Sequence, residues 1–235
     1  MPQKLLIIIP CYNEEASLPI VLTELSGINI PADYELKVIA INDCSTDKTK
    51  RIAEKFNTTV LDLPMNLGIG GAVQAGFKYA LSHHFDLVIQ LDGDGQHPPS
   101  EIIKLLNADT NNPANIIIGS RFMVKEGYQS SAIRRVAIKY FSWLNKLLTG
   151  THLYDCTSGF RLLDKKAISI AAQNYPDDYP EPESLIIFTK AGLSIKETPV
   201  IMRSRLGGKS SINHATSLFY IVKVTFGMLF SYIRN

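Results

Sequence analysis

Short apolar runs at residues 5–9, 36–41, 58–63, 87–91 and 115–119 punctuate the first half of the chain, alternating with stretches of helical spacing at 15–25, 48–56 and 70–81. Runs this short, separated in this way, are the pattern of a mainly parallel sheet covered by helices, with ligands held beyond the carboxyl ends of the strands. Asn13 stands where it could cap the first helix. Asp43-Cys44-Ser45-Thr46-Asp47 supplies turn and helix-starting chemistry after the second run. The polar motifs follow strands: residues 11–14, 43–47, 92–96 and Arg121. Four runs ending in polar chemistry predict a functional rim along one edge of the sheet.

With 235 residues, 46% of them hydrophobic, the chain can bury a full core. Its net charge of +2 gives no general attraction to nucleic acid. Cys11, Cys44 and Cys156 are odd in number and far apart, which fits a reducing cytosol and neither a disulfide framework nor a zinc site. Pro10 and Asn13-Glu14-Glu15 cut off the first apolar run, so it reads as a buried strand and not as a signal peptide. Residues 131–149 mix Arg134, Arg135, Lys139 and Lys146 with aromatic and aliphatic side chains. Residues 217–233 are almost wholly apolar, but Lys223 interrupts them and the run is short for a bilayer crossing. Residues 1–210 are expected to form the main domain, and 211–235 a C-terminal helix that joins it or lies on a membrane.

Leu91-Asp92-Gly93-Asp94-Gly95-Gln96-His97 carries the most specific chemistry. Side chains two apart on a strand point the same way, so Asp92 and Asp94 can converge. Converging carboxylates repel unless one keeps its proton or a cation lies between them. Mg²⁺ or Mn²⁺ suits this oxygen-rich set, with Gln96 as a neutral ligand. Gly93 would admit close approach of a ligand. The alternative is an ordinary polar turn. A phosphate-loop reading of Gly207-Gly208-Lys209-Ser210 fails because Arg203 stands where the motif needs glycine. Asn66–Ala72 misses the third glycine of a dinucleotide fingerprint at Val73 and reads as a helix start near a donor site.

Taken in order, these motifs resemble the family 2 glycosyltransferases of GT-A fold, nearest the branch holding dolichyl-phosphate mannose synthases and bacterial polyprenyl-phosphate glycosyltransferases. Ile9-Pro10-Cys11-Tyr12-Asn13-Glu14 is similar to the opening motif. Asn42-Asp43-Cys44-Ser45-Thr46-Asp47 is similar to Asp-Asp-Gly-Ser-x-Asp, with Asn42 and Cys44 as departures. Asp92–Pro98 resembles the metal-binding segment, and Gly119-Ser120-Arg121 and Asp155-Cys156-Thr157-Ser158-Gly159-Phe160-Arg161 resemble further signatures. The likeness runs from about residue 4 to 214.

The resemblance implies an inverting, metal-dependent transfer from a UDP- or GDP-linked sugar. Pro10, Tyr12, Glu14 and Asp43 would border the nucleotide, although Asp43 could equally be a helix cap. Asp92, Asp94 and Gln96 would hold the cation, and Gly93 would adjoin the donor. Arg121 and Lys209, the latter on a basic loop, would meet the diphosphate. His97 fits a supporting role better than ligation. A phosphate monoester acceptor is already mostly a dianion near pH 7 and needs no base, whereas a hydroxyl does. Arg134 and Arg135 could hold a polyprenyl phosphate at a membrane surface, or form a solvated basic face. Asp155 is a candidate base or an orienting group for Arg161; Glu181 and Glu183 could touch the sugar. The leading expectation is transfer to a polyprenyl phosphate on the inner face of the plasma membrane. A saccharide-hydroxyl acceptor in cell-envelope assembly and a non-catalytic nucleotide-sugar sensor are the alternatives. A homo-oligomer or a membrane-protein partner stays open.

Overall fold

The computed structural model describes residues 2–124, 126–127, 132–207 and 217–234, without the side chains of 132, 133, 217 and 218. The elements follow as β1 (Gln3–Cys11), α1 (Leu18–Ser26), β2 (Tyr34–Asn42), α2 (Thr49–Lys55), β3 (Thr59–Asp62), α3 (Gly68–Ser82), β4 (Leu87–Gln90), α4 (Ile102–Asn111), β5 (Ile116–Ser120), α5 (Ala132–Thr149), β6 (Arg161–Asp164), α6 (Lys165–Gln173), α7 (Pro180–Lys190), β7 (Ile195–Pro199) and α8 (Ser217–Ile233). The strands form one sheet in the order β3-β2-β1-β4-β6-β5-β7. Only β6 runs antiparallel, between β4 and β5. The expected mainly parallel α/β architecture is therefore present.

β1 shows why the sheet is buried on both faces. Leu6 and Ile8 enter the core under α3, α5, α6, α7 and α8, whereas Leu5, Ile7 and Ile9 enter the one under α1 and α4. All five are fully buried. Each such side chain contributes about 1.5–3 kcal/mol by leaving water. The order reverses between β1 and β4, which places their carboxyl ends on either side of a crevice.

The first helix starts later than its spacing predicts, at Leu18. Pro19 is tolerated only in the first helical turn. Asn13 is accordingly not its cap. It adopts φ +56, and its side-chain oxygen accepts from the Thr46 N–H at 2.8 Å. The Asn13 N–H donates to Ser45 Oγ and the Glu14 N–H to Thr49 Oγ1, which stitches the loop after β1 to the loop after β2. The C-terminal helix packs on α7 and α5, with Val224 and Met228 buried in the shared core. Among the described residues, no helix is long and apolar enough to cross a membrane.

Candidate active site

A cavity of about 500 Å³ opens at the β1/β4 crevice. It is lined by Pro10, Tyr12, Glu14 and Asp43, at strand ends or on the loops after β1 and β2, together with the start of α3. Asp43 does serve as a cap, though of α3 and not of the helix that follows it in the chain. Its carboxylate accepts from the Leu67 and Gly68 N–H groups at 2.7 and 3.0 Å, so it caps α3 while lining the cavity. Burial raises its carboxyl above the usual range, and those two N–H groups oppose the rise. Helix α3 is held in place by segment 176–177: the Gly70 N–H donates to the Asp177 carbonyl at 2.9 Å. A side chain on Gly70 would overlap the Pro176 and Asp177 carbonyl oxygens.

Asp92, Gly93, Asp94, Gln96 and His97 line the same cavity, on the loop after β4. A Cβ on Gly93 would press on Cys11 Sγ and the Pro10 carbonyl at 3.1 and 3.2 Å, so glycine lets the β1 and β4 ends meet. Asp92 accepts from Gln90 Nε2 at 3.3 Å, and Asp94 Oδ1 accepts from the Gln96 N–H at 2.8 Å. Desolvation, reinforced by the charges of Asp94 and Glu181, pushes the Asp92 carboxyl up to about 7. Burial also raises Asp94, against the pull of Arg205. His97 is buried, stacked on Phe160 at 4.9 Å and held neutral because burial lowers it to about 3.

Asp92 and Asp94 line one cavity, and their oxygens match the donor preference of Mg²⁺ or Mn²⁺. Among the described residues, no three His, Cys, Asp or Glu side chains gather into a closed metal cage. A two-carboxylate set still fits Mg²⁺, which usually keeps waters and takes substrate phosphate oxygens as further ligands.

Arg121 follows β5 and lines the same cavity. Asp155 holds it: Nε donates to Oδ2 at 2.5 Å and Nη2 to Oδ1 at 2.7 Å. The Arg121 N–H and Thr157 Oγ1 add two more hydrogen bonds to the same carboxylate. Burial acts to raise the Asp155 carboxyl, but the Arg121 charge and these donors outweigh it and hold the group below the ordinary range. Asp155 has no exposed surface and does not line the cavity. Its geometry is that of a clamp on Arg121 and not of a proton acceptor. Arg161 does not meet Asp155 either: its guanidinium is buried on the Ser158, Cys156 and Glu181 carbonyls and on Ser184 Oγ.

The structure divides the two arginines of α5. Arg134 lines the main cavity, whereas Arg135 lines a separate one of about 460 Å³ with Lys139, Trp143, Lys146 and Tyr154. Lys209 lies outside the described residues. Three contributors were not anticipated in these positions. Tyr220 and Ile221 bring α8 into the cavity wall, and Arg205 places Nη2 2.9 Å from Asp94 Oδ2. Glu181, which follows the left-handed Tyr179 (φ +49), also lines the cavity, and burial raises its carboxyl.

Residues 6–170 match the family model described as Glycosyl transferase family 2. The chain is 30% identical to an undecaprenyl-phosphate mannosyltransferase of Micrococcus luteus, over 94% of this chain and 93% of that protein. It is 29% identical to a UDP-N-acetylglucosamine–dolichyl-phosphate N-acetylglucosaminyltransferase of Methanococcus voltae, over 85% and 86%. Among solved structures, glucosyl-3-phosphoglycerate synthase of Mycobacterium tuberculosis, crystallised with Mn²⁺ and UDP-glucose, superposes with a TM-score of 0.72. That likeness has 18% identity and covers 98% of this chain and 79% of that one.

Proposed function

The chain belongs to glycosyl transferase family 2, and from that premise we propose that its cavity transfers a sugar from a nucleotide sugar to a polyprenyl phosphate with inversion at the anomeric carbon. The carrying observation is the placement of Asp92 and Asp94 in one cavity that Asp43, Arg121 and Arg134 also line. Tyr12, half-exposed at the cavity edge, offers a face to the base, and Asp43 remains near enough to border the nucleoside. Asp92, Asp94 and Gln96 would hold Mg²⁺ or Mn²⁺, which when bound neutralises charge on the departing diphosphate.

An acceptor phosphate oxygen forms a bond to the anomeric carbon while the bond from that carbon to the diphosphate oxygen breaks. The electron pair leaves with the diphosphate. The acceptor arrives already deprotonated, so no general base is required. This suits a site in which Asp155 is sequestered by Arg121. Arg134, which lines the cavity from α5, would guide the acceptor phosphate. Glu181 supports a second reading, a hydroxyl acceptor, because a carboxyl raised by burial inside the cavity can accept a proton.

Helices α5 and α8 would face the membrane. Neither contains an Asp or Glu, although the chain has 22 acids. Outward they expose Val136, Trp143 and Leu147, and Phe219, Phe226 and Phe230. Tyr140 of α5 meets Thr225 of α8 at 3.1 Å, which links the two helices. Aromatic side chains beside lysines suit an anionic lipid surface. Incubation with radiolabelled nucleotide sugars, undecaprenyl phosphate and Mn²⁺ tests the reaction. Label in solvent-extractable, acid-labile lipid is expected; label only in an aqueous saccharide overturns the lipid-acceptor reading.

A further inference from the structure

We propose that Arg205 makes cation and diphosphate bind as a pair, by acting as a stand-in cation on Asp94 until a diphosphate draws it away. This rests on the reading of Asp92 and Asp94 as the cation's ligands. Both oxygens of Asp94 are engaged: Oδ1 accepts from the Gln96 N–H, and Oδ2 is ion-paired with Arg205 Nη2 at 2.9 Å. Arg205 Nη1 also lies 3.8 Å from Glu14 Oε1. A divalent ion arriving alone must displace that guanidinium, then tolerate a like charge beside it. A diphosphate arriving alone can attract Arg205 only by stripping Asp94 of its partner. Arriving together, the ion takes the carboxylates and the diphosphate takes the guanidinium, and neither penalty remains. Differential binding of this kind is a coupling free energy between the two ligands.

The surrounding chain is built for a side-chain swing with a fixed backbone. The Arg203 N–H donates to the Gln96 carbonyl at 2.9 Å and the Leu206 N–H to the Asp94 carbonyl at 3.1 Å, on either side of Arg205. Arg203 is further anchored by a bidentate pair with Glu24 at 2.7 and 2.8 Å and by Nε to the Gly95 carbonyl at 2.6 Å. Arg205 itself is 29% exposed and lines the cavity, so it can reorient without unpacking the core. Arg121, pinned by a fully buried Asp155, has no such latitude.

The test is calorimetric and EPR titration of Mn²⁺ into wild type, Arg205→Gln, Arg205→Lys and Asp94→Asn, each alone and with UDP or GDP. The expected signature is that Arg205→Gln binds Mn²⁺ alone several-fold more tightly than wild type. The enhancement of Mn²⁺ affinity by the nucleotide should shrink about tenfold in that variant, within the usual range of coupling between ligands. Arg205→Lys, which keeps a charge at the position, should fall between them. Mn²⁺ alone binding Arg205→Gln no better than wild type overturns the exchange and leaves Arg205 as a plain diphosphate contact. Mn²⁺ failing to bind wild type even with either nucleotide, or binding Asp94→Asn unchanged, overturns the cation site itself and the exchange with it.

Discussion

Replacing Asp155 by Asn separates a catalytic base from a clamp. The carboxylate binds Arg121 through both oxygens, Nε to Oδ2 and Nη2 to Oδ1, with the two side chains 4% and 0% exposed. Asparagine removes the charge and aims an amide donor at one of those two guanidinium donors. Leaving a buried charge without its partner costs about 3–5 kcal/mol. In a chain of this size that corresponds to a fall in melting temperature of about 6–20 °C, at 2–4 °C per kcal/mol. Because the Asp155 carboxyl lies below its ordinary range in the fold, its contribution is complete above the unfolded value of about 3.9 and is lost as pH falls through the folded value. Thermal melts of wild type and Asp155→Asn should therefore stay apart from pH 5 to 9 and converge only in acid. The double variant Arg121→Met with Asp155→Leu should recover stability relative to either single change, without recovering transfer. An Asp155→Asn protein that melts like wild type, yet loses turnover together with one limb of its pH profile, would refute the clamp and restore Asp155 as a base.

Asp94→Asn should lower kcat/KM by about 10²–10³-fold, the range for losing one electrostatic stabiliser of developing charge, while circular dichroism stays that of wild type. Asp92→Asn should lose activity and gain stability. The Asp92 carboxyl is pushed up to about 7, so its ionisation opposes folding progressively from the ordinary carboxylate range to that value. In the metal-free protein the gain in melting temperature should grow as pH rises from about 4 to 7, being larger at pH 8 than at pH 5, and vanish below the ordinary carboxylate range. Gly70→Ala, which crowds the Pro176 and Asp177 carbonyls, should lose about 1–3 kcal/mol in urea denaturation and raise the KM for the donor more than it lowers kcat. Lys139→Ala with Lys146→Ala should weaken binding to anionic vesicles about thirtyfold, at about 1 kcal/mol per basic residue, and leave neutral vesicles unaffected.

β1, β4 and β5 were legible because they are nearly uninterrupted aliphatic runs, and a fully buried strand needs nothing else, whereas β7, Ile195-Lys196-Glu197-Thr198-Pro199, has no such run and was not foreseen. Asp92, Asp94 and Asp43 could be placed from their positions just past such runs, since strand ends at a reversal of strand order meet in space. The rest depended on distant contacts. β6 is only Arg161-Leu162-Leu163-Asp164, and its register comes from β4 and β5 far away in sequence. Asp155 follows no strand, and its burial against Arg121, 34 residues earlier, carries no local signature. Asn13 had the composition of a cap, but Pro19 set the helix start and released Asn13 to tie two loops together. Arg205 begins a segment whose glycines and basic residues read as a loop over the donor diphosphate. Nothing within that segment revealed that Asp94 was its partner.

In the proposed reaction one cation joins Asp92 and Asp94 to the departing diphosphate. Pulsed EPR of the wild-type chain with Mn²⁺ and UDP or GDP reports that junction directly, through hyperfine coupling between the manganese electron spin and diphosphate phosphorus. Clear phosphorus coupling is expected in the wild type, and its loss in Asp92→Asn and Asp94→Asn. Bound manganese without phosphorus coupling, or coupling that survives in both variants, would contradict that junction.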